Sequence, residues 1–254
     1  MALNIKNAQD ITNPRVHVFL YGASGSGKTT AASKFPSPLF LVPANEQSIV
    51  TLRGEDFNYI EIGTQRSKAK KCWQEMEEIL DELLTIQKTK GADALPCETV
   101  VVESLSHYID MMIEDMTNGG EIDMTYKHWG LIGTHLRHVQ DMLRQLDVHA
   151  VFTSLAKVTT SDTGSLAHGG PMLTGQSAEK LPSACDIIGY CDMRAGKPPI
   201  YTTHFQKNGV FFARTRFKEM PASVQNFCWD HIEPFLTKPE KTQPKTQTQV
   251  KKGK

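Results

Sequence analysis

Gly22-Ala23-Ser24-Gly25-Ser26-Gly27-Lys28-Thr29, followed by Thr30, sets a lysine and a hydroxyl directly behind three glycines. The run fits G-x-x-x-x-G-K-[ST] at every fixed position, and its chemistry is anion binding. Glycines let successive backbone N–H groups curl toward one centre, and a helix starting there adds its positive dipole end. Lys28 would then reach the β- and γ-phosphates of a nucleoside triphosphate, and the Thr29 hydroxyl would ligate Mg²⁺. Gly22, Ala23, Ser24, Gly25, Ser26, Gly27, Lys28, Thr29 and Thr30 are therefore the candidate nucleotide-binding residues. Glycine and serine also make ordinary loops, so the flanks matter. Val16 to Tyr21 is an apolar run that reads as a buried strand, and Thr30 to Phe35 reads as the first turns of a helix. That strand–loop–helix context is what a phosphate cradle requires.

Two carboxylates could complete such a site. Glu103 closes the β-branched run Thr99-Val100-Val101-Val102, where an acid could hold Mg²⁺ through its water shell if this strand neighbours the phosphate-loop strand. Aspartate is the usual residue for that task, and Glu103 could instead simply end a strand at the surface. Glu46 lies just past the strand at 39–42, and ligands of open α/β sheets bind outside such strand ends. It could orient and polarise the water that attacks a γ-phosphate, with a solvated loop acid as the competing reading. Asp186-Ile187-Ile188-Gly189 matches D-x-x-G, but no N-K-x-D accompanies it, which favours ATP over GTP. His128, His135 and His138 share a helix without a third ligand at fixed spacing and read as solvated residues rather than a metal site.

The elements that must position these groups alternate. Strands are predicted at 16–21, 39–42, 59–62, 99–102 and 150–153. Between them lie a helix after the phosphate loop, a long helix with Ser67 as its N-cap, and helices over about 104–116 and 128–146. Strands that are continuous apolar runs, separated by helices, predict an α/β fold with a mostly parallel central sheet flanked by helices. Strand signals at 186–193, 200–206 and 210–214 leave no room for helices and predict antiparallel C-terminal strands. From 156 to 180 the chain is rich in Gly, Ser and Thr and reads as a functional or mobile loop. The expected domains are a lead-in at 1–14, one ATPase core at 15–236 and a basic disordered tail at 237–254, with six lysines against one acid from Lys238 onward.

Formal net charge is zero, so no global field draws the chain to nucleic acid or membrane. Five cysteines, odd in number and without a C-x-x-C pair, predict free thiols in a reducing cytoplasm and neither a disulfide frame nor a zinc site. No stretch has the length of a membrane span, and the first residues lack a signal peptide's apolar run.

Taken together, the phosphate loop, the strand ending near Glu46, the V-V-V-E-S run at 100–104 and the stretch after 154 resemble RecA-like P-loop ATPases. Over about residues 15–220 the chain is most similar to short bacteriophage RecA-core ATPases of the single-strand-annealing recombinase type. The resemblance implies a RecA-like fold, Mg²⁺-dependent ATP hydrolysis with Glu46 as catalytic base, Glu103 serving Mg²⁺, and Thr153 or Ser154 near the γ-phosphate. It implies that loops 117–127 and 156–180 contact single-stranded DNA through Lys127, Lys157, His168 and Lys180; a glycine-rich lid over the nucleotide competes for the second loop. Arg214-Thr215-Arg216 resembles the [KR]-x-R pair that such ATPases insert into a neighbour's γ-phosphate, which implies a homo-oligomer. The expected partners are single-stranded DNA and a single-stranded-DNA-binding protein, without membrane, in a host cytoplasm if the chain is phage-encoded. Two other functions stay open: a nucleotide-switched loading module with little turnover, and a small-molecule kinase, although 156–180 contains no lid arginine.

Overall fold

The computed structural model describes residues 15–67, 70–160 and 166–236, so the expected lead-in at 1–14 and basic tail at 237–254 lie outside the described residues. Strand β1 (His17–Gly22) is buried along its whole length, and its side chains alternate between two cores. Phe19 and Tyr21 face one apolar cluster, and Val18 and Leu20 face the other. This is the period-two geometry of a strand covered on both sides. Strands β2 (Pro38–Pro43), β3 (Asn58–Ile62), β4 (Thr99–Val102) and β5 (His149–Thr160) run parallel to it, as does β7 (Ile187–Arg194). β6 (Leu166–Pro171), β8 (Ile200–His204), β9 (Arg214–Thr215) and β10 (Ser223–Gln225) pair antiparallel. The expected parallel sheet with an antiparallel C-terminal part is therefore observed.

Helices α2 (Cys72–Lys90), α3 (Leu105–Met116), α4 (Tyr126–Gln145) and α5 (Ser177–Ser183) contribute buried residues to the Phe19 side. α1 (Lys28–Ser33), with Phe35 after it and the C-terminal residues Met220, Phe227 and Ile232, closes the other. Each fully buried Phe or Leu here contributes about 1.5–3 kcal/mol relative to exposure.

Three details differ from expectation. The sheet order is β10-β8-β7-β1-β5-β4-β2-β3, so β5 separates the Glu103 strand from the phosphate-loop strand instead of the two being neighbours. Ala150, Val151 and Phe152 are apolar toward both faces, which suits β5 to that central place. α2 starts at Cys72 behind Lys71, while the Ser67 hydroxyl accepts the Lys70 N–H at 3.0 Å and closes a turn ahead of the helix. The stretch after 155 is a hairpin rather than a structureless loop. Val158, Thr159 and Thr160 continue β5 as β-branched residues do, and β6 returns against them before α5 begins. It looked irregular because this part of β5 leaves the core and is no longer a continuous apolar run; residues 161–165 lie outside the described residues.

At the end of the central strands remote from the phosphate loop, His17 and His149 are buried side by side. The His149 Nδ1 accepts the Val16 N–H at 3.1 Å, so this nitrogen must be unprotonated. Burial pulls both imidazoles down from 6.5 to about 4; Arg144 adds to this at His17, and Arg15 and His17 add to it at His149. The unfolded chain therefore binds protons first, and stability complete above pH 6.5 is lost as pH falls toward 4. Urea denaturation should show a loss on the order of 2–4 kcal/mol from pH 7 to pH 5, mostly removed in His17→Leu/His149→Asn. Equal midpoints for the wild type at the two pH values would refute it.

Candidate active site

The phosphate loop forms because β1 ends in a position that accepts only glycine. Gly22 is registered between Leu155 of β5 and Cys191 of β7, and a Cβ on it would fall 2.2 Å from the Cys191 carbonyl oxygen. Gly27, at φ 85°, occupies the left-handed conformation that turns the chain into α1, and the Tyr201 ring packs against its Cα. Lys28, the first residue of α1, is buried, and its ammonium donates to the carbonyl oxygens of Ala23 at 2.8 Å and Gly22 at 3.1 Å. Burial lowers its pKa, while Cys191, Glu103 and Glu46 act in the opposite sense. Both predicted acids thus lie close enough for their charge to act on the loop lysine.

Glu103 follows β4 and is 2% exposed. Thr29 Oγ1 donates to its Oε1 at 2.9 Å, joining the phosphate loop to the strand end across β5. Burial raises the Glu103 carboxyl, and the hydroxyls of Thr29, Thr153 and Ser48 with the Lys28 charge partly restore the ionised form. Among the described residues its Oε2 has no hydrogen-bond partner within normal geometry, and neither has the nearby Ser48 hydroxyl. An orphaned carboxylate oxygen beside a threonine hydroxyl at a phosphate loop is the donor set a hard divalent cation takes. Thr29 and Glu103 therefore fit Mg²⁺. Thr153 is completely buried, and its hydroxyl also accepts the Ser104 N–H at 2.7 Å.

Glu46, on the loop after β2, presents both oxygens to fixed donors. Oε1 accepts the Ser48 N–H at 2.9 Å, and Oε2 lies 2.6 Å from Nδ1 of His107. β2 and β4 are adjacent strands, Leu41 against Val102, which brings the two acids to one edge of the sheet. His107, in the first turn of α3, escaped the sequence reading. Its signal was a polar residue four positions after Glu103 at a helix start, meaningful only once β2 is known to lie alongside.

The predicted DNA-contacting residues divide. Lys157 of β5 and Lys180 of α5 line one groove of about 770 Å³ together with Tyr126, Trp129, Arg137 and Leu173. Lys157 Nζ donates to the Leu173 carbonyl at 2.9 Å. Lys127 is in the first turn of α4, next to Tyr126, and His168 is exposed on β6 opposite Thr159. Arg214 and Arg216 are not brought to this chain's own phosphate loop. They flank Thr215, paired with Ile187 at the start of β7, whereas the loop meets β7 at Cys191. Arg214 donates to the carbonyls of Ser183 and Cys185, and Arg216 to Asp186 at 3.3 Å. That ion pair, with the His17 N–H donated to Asp186, gives the D-x-x-G aspartate a structural role.

His135 corrects the reading of the α4 histidines as solvated. It is buried, 2.6 Å from the Tyr108 hydroxyl through Nε2 and 2.8 Å from Glu77 through Nδ1. All five cysteines are free thiols, and no metal-binding cluster of His, Cys, Asp and Glu occurs among the described residues. No helix among them is long and apolar enough to cross a membrane.

This chain has counterparts among known proteins. A KaiC-like protein from the hyperthermophilic archaeon Pyrococcus horikoshii is among the solved structures it resembles. The two share 14% identity at a TM-score of 0.45, over 83% of this chain and 88% of that one. A search of curated proteins returned no match. The family model described as AAA domain matches residues 15–217, a span that holds the phosphate loop, Glu46 and Glu103. The chain belongs to the AAA domain family of P-loop ATPases.

Proposed function

We propose that this protein is a Mg²⁺-dependent ATPase that acts on single-stranded DNA. The hydrolytic half rests on the loop and its two acids. The backbone of 22–29 and Lys28 bind the triphosphate, and Glu46 orients a water and takes its proton at a carboxylate oxygen. Mg²⁺, when bound at Thr29 and Glu103, neutralises charge on the phosphates.

The DNA half is carried by one observation: the groove between α4, α5 and Lys157 of β5 combines cations with exposed rings. Tyr126 is 97% exposed at its edge, Trp129 is 39% exposed beside it, and Lys157, Lys180 and Arg137 line the same groove. Cations tracking a backbone and flat rings for unstacked bases are the features of sequence-tolerant single-strand binding. β5 passes from this groove to the phosphate loop, Leu155 pairing with Gly22, so strand binding and turnover have one continuous element between them.

ATP turnover should rise on adding single-stranded DNA and return toward the basal rate as salt increases. Tyr126→Ala, at a side chain with almost no packing to lose, should weaken DNA binding by about 5–100-fold while sparing basal turnover. A rate indifferent to DNA removes this half of the reading. Tight ATP binding without turnover would favour the nucleotide-switched module instead.

For the assembled state we propose Arg216, about half exposed, as the group offered to a neighbour's phosphates, with Arg214 bracing the segment. In the same assay, Arg216→Ala mixed with wild type should depress turnover beyond simple dilution. A protein that stays monomeric with ATP and DNA rules this out.

A further inference from the structure

Glu46 stands on a loop between β2 and a short 3-10 turn, and a catalytic carboxylate on a loop needs a fixed support. One of its two bonds, from the Ser48 N–H, comes from the same loop and moves with it. A second contact, the 2.6 Å approach of His107 Nδ1, comes from a rigid element, as His107 belongs to α3, the helix that begins directly after Glu103 and Ser104. Ser104 is left-handed, at φ 50°, and its hydroxyl also lies 2.6 Å from Nδ1 of His107. One short stretch of chain therefore carries the metal-side acid, the histidine and a hydroxyl on the ring.

The tautomer follows from the partners. A carboxylate only accepts, so the 2.6 Å approach of Glu46 Oε2 favours a proton on Nδ1. The Ser104 oxygen, beside the same nitrogen, then shares that N–H as an acceptor. Each Glu46 oxygen uses one lone pair in these bonds and retains one for a water. His107 is one-third exposed and Glu46 less so, which puts the bond at the mouth of the site rather than in the core.

We propose that His107 is a positioning residue for ATP hydrolysis: through Nδ1–H it anchors the Glu46 carboxylate to α3 and thereby fixes its place relative to Glu103. This rests on the hydrolytic reading above and adds a residue to it.

The test has two arms. In steady-state kinetics, His107→Ala should lower kcat about 10–100-fold with KM and ATP affinity little changed. His107→Asn, whose amide N–H sits close to the place of Nδ1–H, should recover most of the loss. In a Glu46→Gln background, His107→Ala should add little, as expected for two residues acting as a unit. The second arm is nitrogen NMR of the His107 ring in the wild type without nucleotide. It should report the Nδ1–H form, and Glu46→Ala should shift the ring toward Nε2–H. A wild type that never turns over ATP removes the hydrolytic reading and with it any catalytic role for His107, while the NMR arm separately decides the anchoring bond. An Nε2–H ring in the wild type, His107→Ala with an unchanged kcat, or an Asn variant no better than Ala overturns the proposal.

Discussion

Glu46→Gln should lower kcat for ATP hydrolysis by about 10²–10⁴-fold while ATP affinity stays within a few-fold. The exchange keeps the size of the side chain and removes its ability to take a proton. It also changes how the side chain is held: with the amide oxygen accepting from Ser48, its NH₂ meets His107 Nδ1, which must then move its proton to Nε2 and accept. Affinity is spared because the triphosphate is gripped by the loop backbone and Lys28, and removing a negative charge near that grip does not weaken it. Saturating-ATP rates and calorimetric affinities measured side by side separate the two effects. Undiminished turnover would assign water activation to another group.

What could be read from the sequence divides along a physical line. The phosphate loop was legible because all of its groups are contiguous and its glycines answer backbone demands made within a few residues, as Gly22 against Cys191 shows. Glu46 and Glu103 were legible because parallel strands deliver their C-terminal ends to one edge, whatever their order. The order itself was not legible: β5 between β1 and β4 is decided by packing across the whole sheet. His107 was missed for the same reason, since its meaning lies in a contact with a loop on another strand. Trp129 shares the three-to-four-residue spacing of the apolar face of α4, yet it borders the groove. The buried stripe of that helix runs through Ile132, Leu136, Val139 and Leu143, and its first turns extend past the core. His135 misled in the opposite direction, because Tyr108 and Glu77 satisfy both ring nitrogens and make burial affordable.

Glu103→Gln should move activity and stability in opposite directions. Without divalent metal, the wild type keeps a carboxylate in a nearly dry site with one oxygen unpartnered. Its pKa is raised by burial above the unfolded value, so the charged form opposes folding. The sign follows: the favourable contribution is complete below the unfolded carboxylate pKa and is lost as pH rises through the raised folded value. The glutamine variant lacks this titration, its oxygen can still accept from Thr29, and its NH₂ faces the unpartnered Ser48 hydroxyl. In chelator at pH 7 it should be more stable than wild type by about 1–2 kcal/mol, as when a buried uncompensated charge is made neutral. With Mg²⁺ and ATP it should lose about 10²-fold or more in turnover, because a neutral amide is a poor ligand for a hard dication. Urea midpoints in chelator and rates in magnesium decide it on one pair of proteins. A variant less stable than wild type in chelator would mean that the Thr29, Thr153 and Ser48 hydroxyls already compensate the buried charge, and Glu103 would then be a structural acid rather than one reserved for the cation.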